Sequence, residues 1–218
     1  MQLVAGVVQL LIFQHLALFL ARAHPLNDVA SKCNGSTTSF MSQIHSLVMD
    51  IHMKAKVRFN TYAHCQEFDS KAIVSLCHSG DSNFPTFNVI STSSEEDKLS
   101  ELYKVFRYMN TAIGNITLEQ MELNPKNKTL HKQLNESKIE IAAVLSNLSC
   151  ALNKRYKVPN IDMYYKTSTS TWFKKTRGCK VLKSYKHFLA QASNITSDWD
   201  KKGDYTQDPS FDNPPDHR

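Results

Sequence analysis

The chain has 218 residues, 41% of them apolar, with six glycines, seven prolines, five cysteines and a formal charge of +6. This is ordinary globular composition, which excludes collagenous, low-complexity and multi-span membrane architectures, and so few turn formers argue against an all-β chain. The positive balance bears on partners and solubility rather than on fold.

Residues Leu3 to Leu20 are almost wholly apolar, broken by Gln9, Gln14 and His15, and they run into Ala21-Arg22-Ala23 before His24-Pro25. Small residues at −3 and −1 predict signal peptidase cleavage after Ala23. The polar breaks, and a length near the lower limit for spanning about 30 Å of hydrocarbon, favour a cleaved leader over an uncleaved anchor. No later stretch approaches a membrane span. Removing residues 1–23 leaves 195 of the 218, enough for one domain with a sizeable core. A secreted chain meets the glycosylation machinery, and six Asn-x-Ser/Thr sites occur, at Asn34, Asn115, Asn127, Asn135, Asn147 and Asn194. That is a mild excess over chance and agrees with the leader.

Apolar residues at 40, 44, 47, 48, 51, 55, 59 and 62 repeat at helical spacing and predict a first long helix over about Thr38 to Tyr62. From about Glu67 to Ser94 the period is lost among Gly80, Phe84-Pro85 and a Ser/Thr cluster, so this stretch reads as a long loop. Ser94, followed by Glu95, Glu96 and Asp97, begins a second helix that ends at Asn124-Pro125; the three acids complement the helix dipole. A short connection leads to a third helix, about Lys128 to Tyr156, with Leu130, Leu134, Ile141, Leu145, Leu148 and Leu152 in register. An aperiodic stretch, about Lys157 to Thr171, precedes a fourth helix from about Trp172 to Trp199. The tail, 198–218, has six Asp and no period, which predicts disorder. The domain plan is a leader at 1–23, a four-helix domain at 24–197 and an acidic tail at 198–218.

Loop lengths set the topology. An antiparallel neighbour needs only a few connecting residues, whereas a parallel one needs a connection that returns the whole helix length. Long, short, long predicts an all-α, long-chain four-helix bundle running up-up-down-down with two long crossover loops, rather than an ordinary bundle with ragged loops. Two bridges and one free thiol can be drawn among five cysteines in fifteen ways. The topology puts the start of the first helix and the end of the third at one end, which favours Cys33 with Cys150. The first crossover runs towards the fourth helix, which makes Cys77 with Cys179 reasonable and leaves Cys65 over.

Several stretches resemble the interleukin-6 family of four-helix cytokines in its leukaemia inhibitory factor branch: Ala5-Gly6-Val7-Val8, Met41-Ser42-Gln43-Ile44, Asn83-Phe84-Pro85-Thr86-Phe87, Glu101-Leu102-Tyr103-Lys104, Gly114-Asn115-Ile116-Thr117, Leu123-Asn124-Pro125, Leu145-Ser146-Asn147 and Gly178-Cys179. The likeness runs in order from the leader to the fourth helix with few gaps. It implies a secreted ligand that joins two receptor chains on a cell surface. Family members bind the leukaemia inhibitory factor receptor through an aromatic-x-x-Lys motif at the front of the fourth helix. Counting back from Cys179, the aromatic falls on Trp172 and the lysine on Lys175, with Phe173 adjacent. A large exposed aromatic beside a long cation is also the composition of an interface hot spot; the plainer reading is that Trp172 caps the bundle and the lysines are solvated. The family's second site, for the shared signal-transducing glycoprotein chain, carries by position to Gln43, Ser46, Asp50, Ala143 and Asn147. On a wheel the first three share a band off the apolar stripe, as any polar outer face would. Asn147 is also a sequon, and a glycan there would cover the proposed contact, so either the sequon is unoccupied or the receptor contact is displaced. The resemblance matches Cys77–Cys179 directly, makes Cys33–Cys150 a re-partnered bond and leaves Cys65 extra, with Ser36 and Asn153 where a further family pair would stand.

Lys154 to Lys186 holds ten Lys or Arg against one acid, Asp162. Such a surface suits steering to an acidic receptor or to heparan sulfate, or it is simply a solvated face; without a recognition motif in a secreted chain, nucleic acid is not a fitting partner. His-Glu-x-x-His, Cys-x-x-Cys, Gly-x-Ser-x-Gly and phosphate-loop motifs are missing, so neither catalysis nor a metal or other cofactor is expected; His45 and His52 read as surface decoration. Together with these features, the resemblance implies a monomeric, glycosylated, secreted cytokine and growth factor of the leukaemia inhibitory factor type, without membrane insertion, that activates JAK-STAT signalling in differentiation and proliferation. The alternatives are a related cytokine of oncostatin M or cardiotrophin type, or a secreted basic heparin-binding protein without its own signalling receptor.

Overall fold

The computed structural model describes residues 33–161 and 168–200; the expected leader and residues 201–218 of the tail lie outside them. Cys33 and Asn34 belong to a unit separate from the rest; Cys33 is half-buried and disulfide-bonded, and Asn34 is exposed. All regular structure among the described residues is helical: α1 Thr37–Cys65, α2 Ser70–Cys77, α3 Glu95–Leu123, α4 Lys128–Arg155 and α5 Thr171–Ile195.

Each helix starts where a side chain can satisfy its orphan amides. Ser36, Asp69, Ser94, Asn127 and Ser170 accept from the amides of Ser39, Ala72, Asp97, Leu130 and Phe173. The loop expected over 67–94 is thus interrupted by α2. This helix has only eight residues, too few to show a period. Its last residue, Cys77, is bonded to Cys179 of α5 with the Cα atoms 5.6 Å apart. The fourth long helix stops at Ile195 rather than at Trp199, because a turn closed by Trp199 N–H to Thr196 O takes over at 2.9 Å. Trp199 is nevertheless buried, and Asp198 pairs with Lys98 at 3.7 Å, so packing continues into the first residues of the acidic end.

Polar contacts at the helix ends fix the directions. Near one end His45 of α1 meets Thr196 beyond α5 at 3.0 Å, and at the other Tyr62 of α1 donates to Lys175 O of α5 at 3.0 Å, so these helices are antiparallel. Gln66, which caps α1, donates to Gln120 late in α3 at 2.8 Å, so α1 and α3 end together and run parallel. His131 near the start of α4 meets Gln120 O at 3.1 Å, and Arg155 at its end meets Glu95 at 3.5 Å, so α4 runs back along α3. Helix α1 packs on α4 and α5, and α3 packs on the same two. The bundle is up-up-down-down, as the loop lengths require. Ile44, Ile51, Phe106, Ile113, Ile141, Leu148 and Leu189 are buried along its axis. The first crossover is pinned by Phe84 and Phe87, whose rings lie 6.2 and 5.0 Å from Phe188 of α5, with Phe106 of α3 at 5.2 Å.

Candidate functional site

The front of α5 gathers several features on one surface. Trp172 is 57% exposed and Phe173 36%, unusual for large aromatics. Each is held differently. Trp172 takes Phe68 edge-on, with centroids 6.3 Å apart, and Phe173 lies under the guanidinium of Arg177 at 5.1 Å. The backbone beneath is fixed by the hydroxyl of Tyr62, donating to Lys175 O. Among the described residues no carboxylate pairs with the side chain of Lys175, which is half-buried, whereas its neighbour Lys174 is buried and engages Glu122 at 2.7 Å.

Below this surface Arg177 pairs with Glu119 of α3, both nearly enclosed. Burial lifts the Glu119 carboxyl above its usual range, even though the Arg177 hydrogen bond and charge oppose the lift. The pair ties α5 to α3 and holds the guanidinium against the Phe173 ring. Of the three residues that the resemblance implies here, Trp172 and Phe173 present ring surface to solvent, and Lys175 offers a cation unclaimed by an acid among the described residues.

Phe68 carries no motif or periodic position that marks it in the sequence. It reaches Trp172 because α1 ends in a Schellman motif: Phe68 N–H bonds Ala63 O at 3.0 Å, Glu67 N–H bonds His64 O at 2.9 Å, and Glu67 is left-handed at φ 61°. The usual signal for such an ending is Gly, and this position is Glu.

The second implied set lies on the outer faces of α1 and α4. Gln43 and Ser46 are exposed, with Gln43 donating to Ser39 at 3.3 Å and Ser46 to Ser42 O at 3.1 Å. Asp50 is half-buried and pairs with Lys54, which reaches Glu140 of α4 at 3.0 Å. Ala143 and Asn147 are half-buried and bonded to each other, Asn147 Nδ2 donating to Ala143 O at 3.2 Å. An ion-pair chain through Asp50, Lys54, Glu140 and Arg58 thus links the two helices beside these positions. Met49, Met53 and Val57, exposed by 37%, 67% and 59%, form an apolar stripe next to Ser46 and Asp50. Their four-residue spacing, off the core stripe, was the signal available in the sequence.

Cys150 is disulfide-bonded, and Cys65 is a free thiol. Burial raises the Cys65 thiol, while Asn127 Nδ2, donating to Sγ at 2.8 Å, opposes the rise. The sequons differ in setting: Asn34, Asn135 and Asn194 are exposed, and Asn115, Asn127 and Asn147 are half-buried with their amide nitrogens bonded. Among the described residues no group of three or more His, Cys, Asp or Glu could hold a metal ion, and no helix is long and apolar enough to cross a membrane. In comparison with known families, the model described as the LIF / OSM family matches residues 39–195, well over half of the chain.

Proposed function

The chain belongs to the LIF / OSM family of cytokines, and from that premise we propose that it is a secreted, monomeric, glycosylated ligand that bridges the leukaemia inhibitory factor receptor and the shared signal-transducing glycoprotein chain. Bringing the two receptor chains together places their associated kinases side by side and starts JAK-STAT signalling. In this reading residues 1–23 are a signal peptide, 24–197 the cytokine domain and 198–218 an acidic tail, and Cys33 pairs with Cys150.

The observation that supports this best is the surface at the front of α5. An indole held edge-on by Phe68, a second ring over Arg177 and the cation of Lys175 combine apolar burial with a charge-assisted contact in a small area. Trp172, the more exposed ring, is the anchor; Phe173 flanks it. Gln43, Ser46, Asp50, Ala143 and Asn147 form the second contact, with the Met53 stripe adding apolar area beside it. Asn147 then carries no glycan in the active form.

The test is signalling by the purified mature chain on cells bearing both receptors, compared with Trp172→Ala combined with Lys175→Ala. The double variant loses most activity while keeping its helical circular dichroism. Undiminished signalling by that variant overturns the α5 assignment, and silence of the wild type on these cells overturns the receptor pairing.

A further inference from the structure

We infer that the Glu119–Arg177 pair beneath the front of α5 is an acid-sensitive support of the receptor surface: proton uptake by Glu119 frees Arg177 from α3 and displaces Phe173, so that a receptor chain held at neutral pH is released in acid. The inference rests on the receptor reading above and adds a regulation of that same surface.

Geometry carries it. Glu119 lies on α3 and Arg177 on α5, both side chains are nearly enclosed, and Arg177 Nη2 donates to Glu119 Oε1. The other carboxylate oxygen, Oε2, is buried and has no hydrogen-bond partner among the described residues. An ionised carboxylate offers acceptor sites on both oxygens, so half of this one goes uncompensated and its burial favours the neutral acid. The carboxyl accordingly sits above its ordinary value of 4.5, burial being the largest cause, although Arg177 and Lys174 oppose the lift.

The charged groups around it are few. Helix α5 contributes Arg177 and Lys174, and α3 itself contributes Glu122, which Lys174 engages at 2.7 Å. The neighbouring residue Gln120 is met by the other two long helices: His131 of α4 lies 3.1 Å from its carbonyl oxygen, and the Tyr62 hydroxyl of α1 accepts from its Nε2 at 3.4 Å. His131 is therefore the competing titratable group in this region, one residue away from the carboxyl that matters.

Proton uptake removes the charge that holds the Arg177 guanidinium against α3, and an enclosed cation that loses its anion is driven towards water. The guanidinium lies 5.1 Å from the centroid of the Phe173 ring, which is at the surface, so a shift of Arg177 towards solvent displaces the ring. The remainder of this end stays fixed, because Tyr62 donates to Lys175 O, Lys174 engages Glu122 and Cys179 is bonded to Cys77. A carboxyl with a raised folded value binds its proton more tightly in the folded chain than in the unfolded one, so acid does not unfold the protein through this group. Receptor binding selects the arrangement with Arg177 held, and it weakens as pH falls.

The experiment measures affinity of the mature chain for the receptor from about pH 7.4 to about pH 5, the span over which pH-sensing interfaces switch, and follows the Arg177 Nε–H and Phe173 ring resonances of the free chain over the same series. The wild type loses about tenfold in affinity across the series, and the two sets of resonances move together. Glu119→Gln, neutral throughout, binds at neutral pH about as weakly as the wild type does in acid, shows no further fall and keeps its resonances in place; its helical circular dichroism is unchanged. His131→Gln and Glu122→Gln retain the wild-type fall. A wild-type affinity that is constant with pH overturns the inference, as does a fall that persists in Glu119→Gln or disappears in His131→Gln. Absence of wild-type binding at neutral pH overturns the receptor reading and with it this use of the pair, whereas fixed resonances in the free wild type overturn the switch itself, whatever the receptor does.

Discussion

The hydroxyl of Tyr62 occupies the space that a side chain at position 178 would need: a Cβ built on Gly178 would lie 2.1 Å from Tyr62 Oη and 2.6 Å from its Cζ. The two helices approach this closely because the same hydroxyl donates to Lys175 O, one turn before Gly178. Gly178 is therefore a contact residue by virtue of having no side chain.

Gly178→Ala forces Tyr62 out or separates α1 from α5, a cost of about 1–3 kcal/mol by the usual scale of overpacking. Thermal denaturation shows a Tm lowered by several degrees. Adding Tyr62→Phe restores only part of the loss, because the ring carbon still collides. Full restoration would show that the hydroxyl alone makes the clash.

Glu67 is the one non-glycine residue with positive φ among the described residues, at 61°. An L side chain pays about 1–2 kcal/mol in that region, and Gly pays back part of this through its freer unfolded chain. Glu67→Gly thus stabilises by roughly 0.5–1 kcal/mol, since the Schellman bonds from Glu67 and Phe68 use the backbone alone. Urea denaturation measures it; a destabilised variant would mean that the Glu67 side chain makes a contact worth more than the strain.

These two positions also mark what could and could not be foreseen. The long helices were legible because stripes such as Leu102, Phe106, Met109 and Ile113 repeat over many turns, and their order followed from loop lengths, since chain length limits which helices can be antiparallel neighbours. Helix α2 was not legible: Ala72, Ile73, Val74 and Leu76 form an apolar run too short to show 3.6 periodicity, and Val74 stays 64% exposed. Asp69, placed as an N-cap just before the run, was the available hint. Trp172 and Lys175 came from a motif counted back from Cys179. Their support by Phe68 did not, because it joins residues distant in sequence through a turn whose left-handed residue is Glu instead of Gly. The basic stretch was visible as composition, but not that Lys174 and Arg177 within it engage Glu122 and Glu119 of α3, which only the fold decides.

Glu140 joins α4 to α1 by accepting from Arg58 Nη2 and from Lys54 Nζ, both at 3.0 Å, with a second bond from Arg58 Nη1. Burial opposes ionisation of Glu140, but the hydrogen bonds and charges of Arg58 and Lys54 outweigh it and hold the carboxyl below its ordinary value of 4.5. A depressed carboxyl contributes stability that is fully present above the unfolded value and is lost as pH falls through the folded one. The wild type therefore loses stability from about pH 4.5 downward. Glu140→Gln is destabilised at pH 7 by about 2 kcal/mol, because the buried Arg58 loses its principal anion, and its stability declines less steeply in acid. Denaturant midpoints over a pH series measure both. Parallel curves would show that other carboxylates carry the acid dependence.

Phe68 touches Trp172 edge-on from the turn after α1, so it is a positioning residue for the proposed receptor anchor. Edge-to-face pairs contribute about 0.5–1.5 kcal/mol beyond buried area, which corresponds to roughly two- to tenfold in affinity. Phe68→Ala is expected to weaken receptor binding in that range while lowering Tm only slightly, as the ring is half-buried. A double-mutant cycle with Trp172→Ala separates this role from a general loss of fold. If Phe68 acts through the indole, its removal has almost no further effect once Trp172 is gone, and the coupling equals most of the single-variant loss. Additive effects would mean that Phe68 meets the receptor itself, and an unchanged affinity in the Phe68→Ala variant would mean that the indole orients without it.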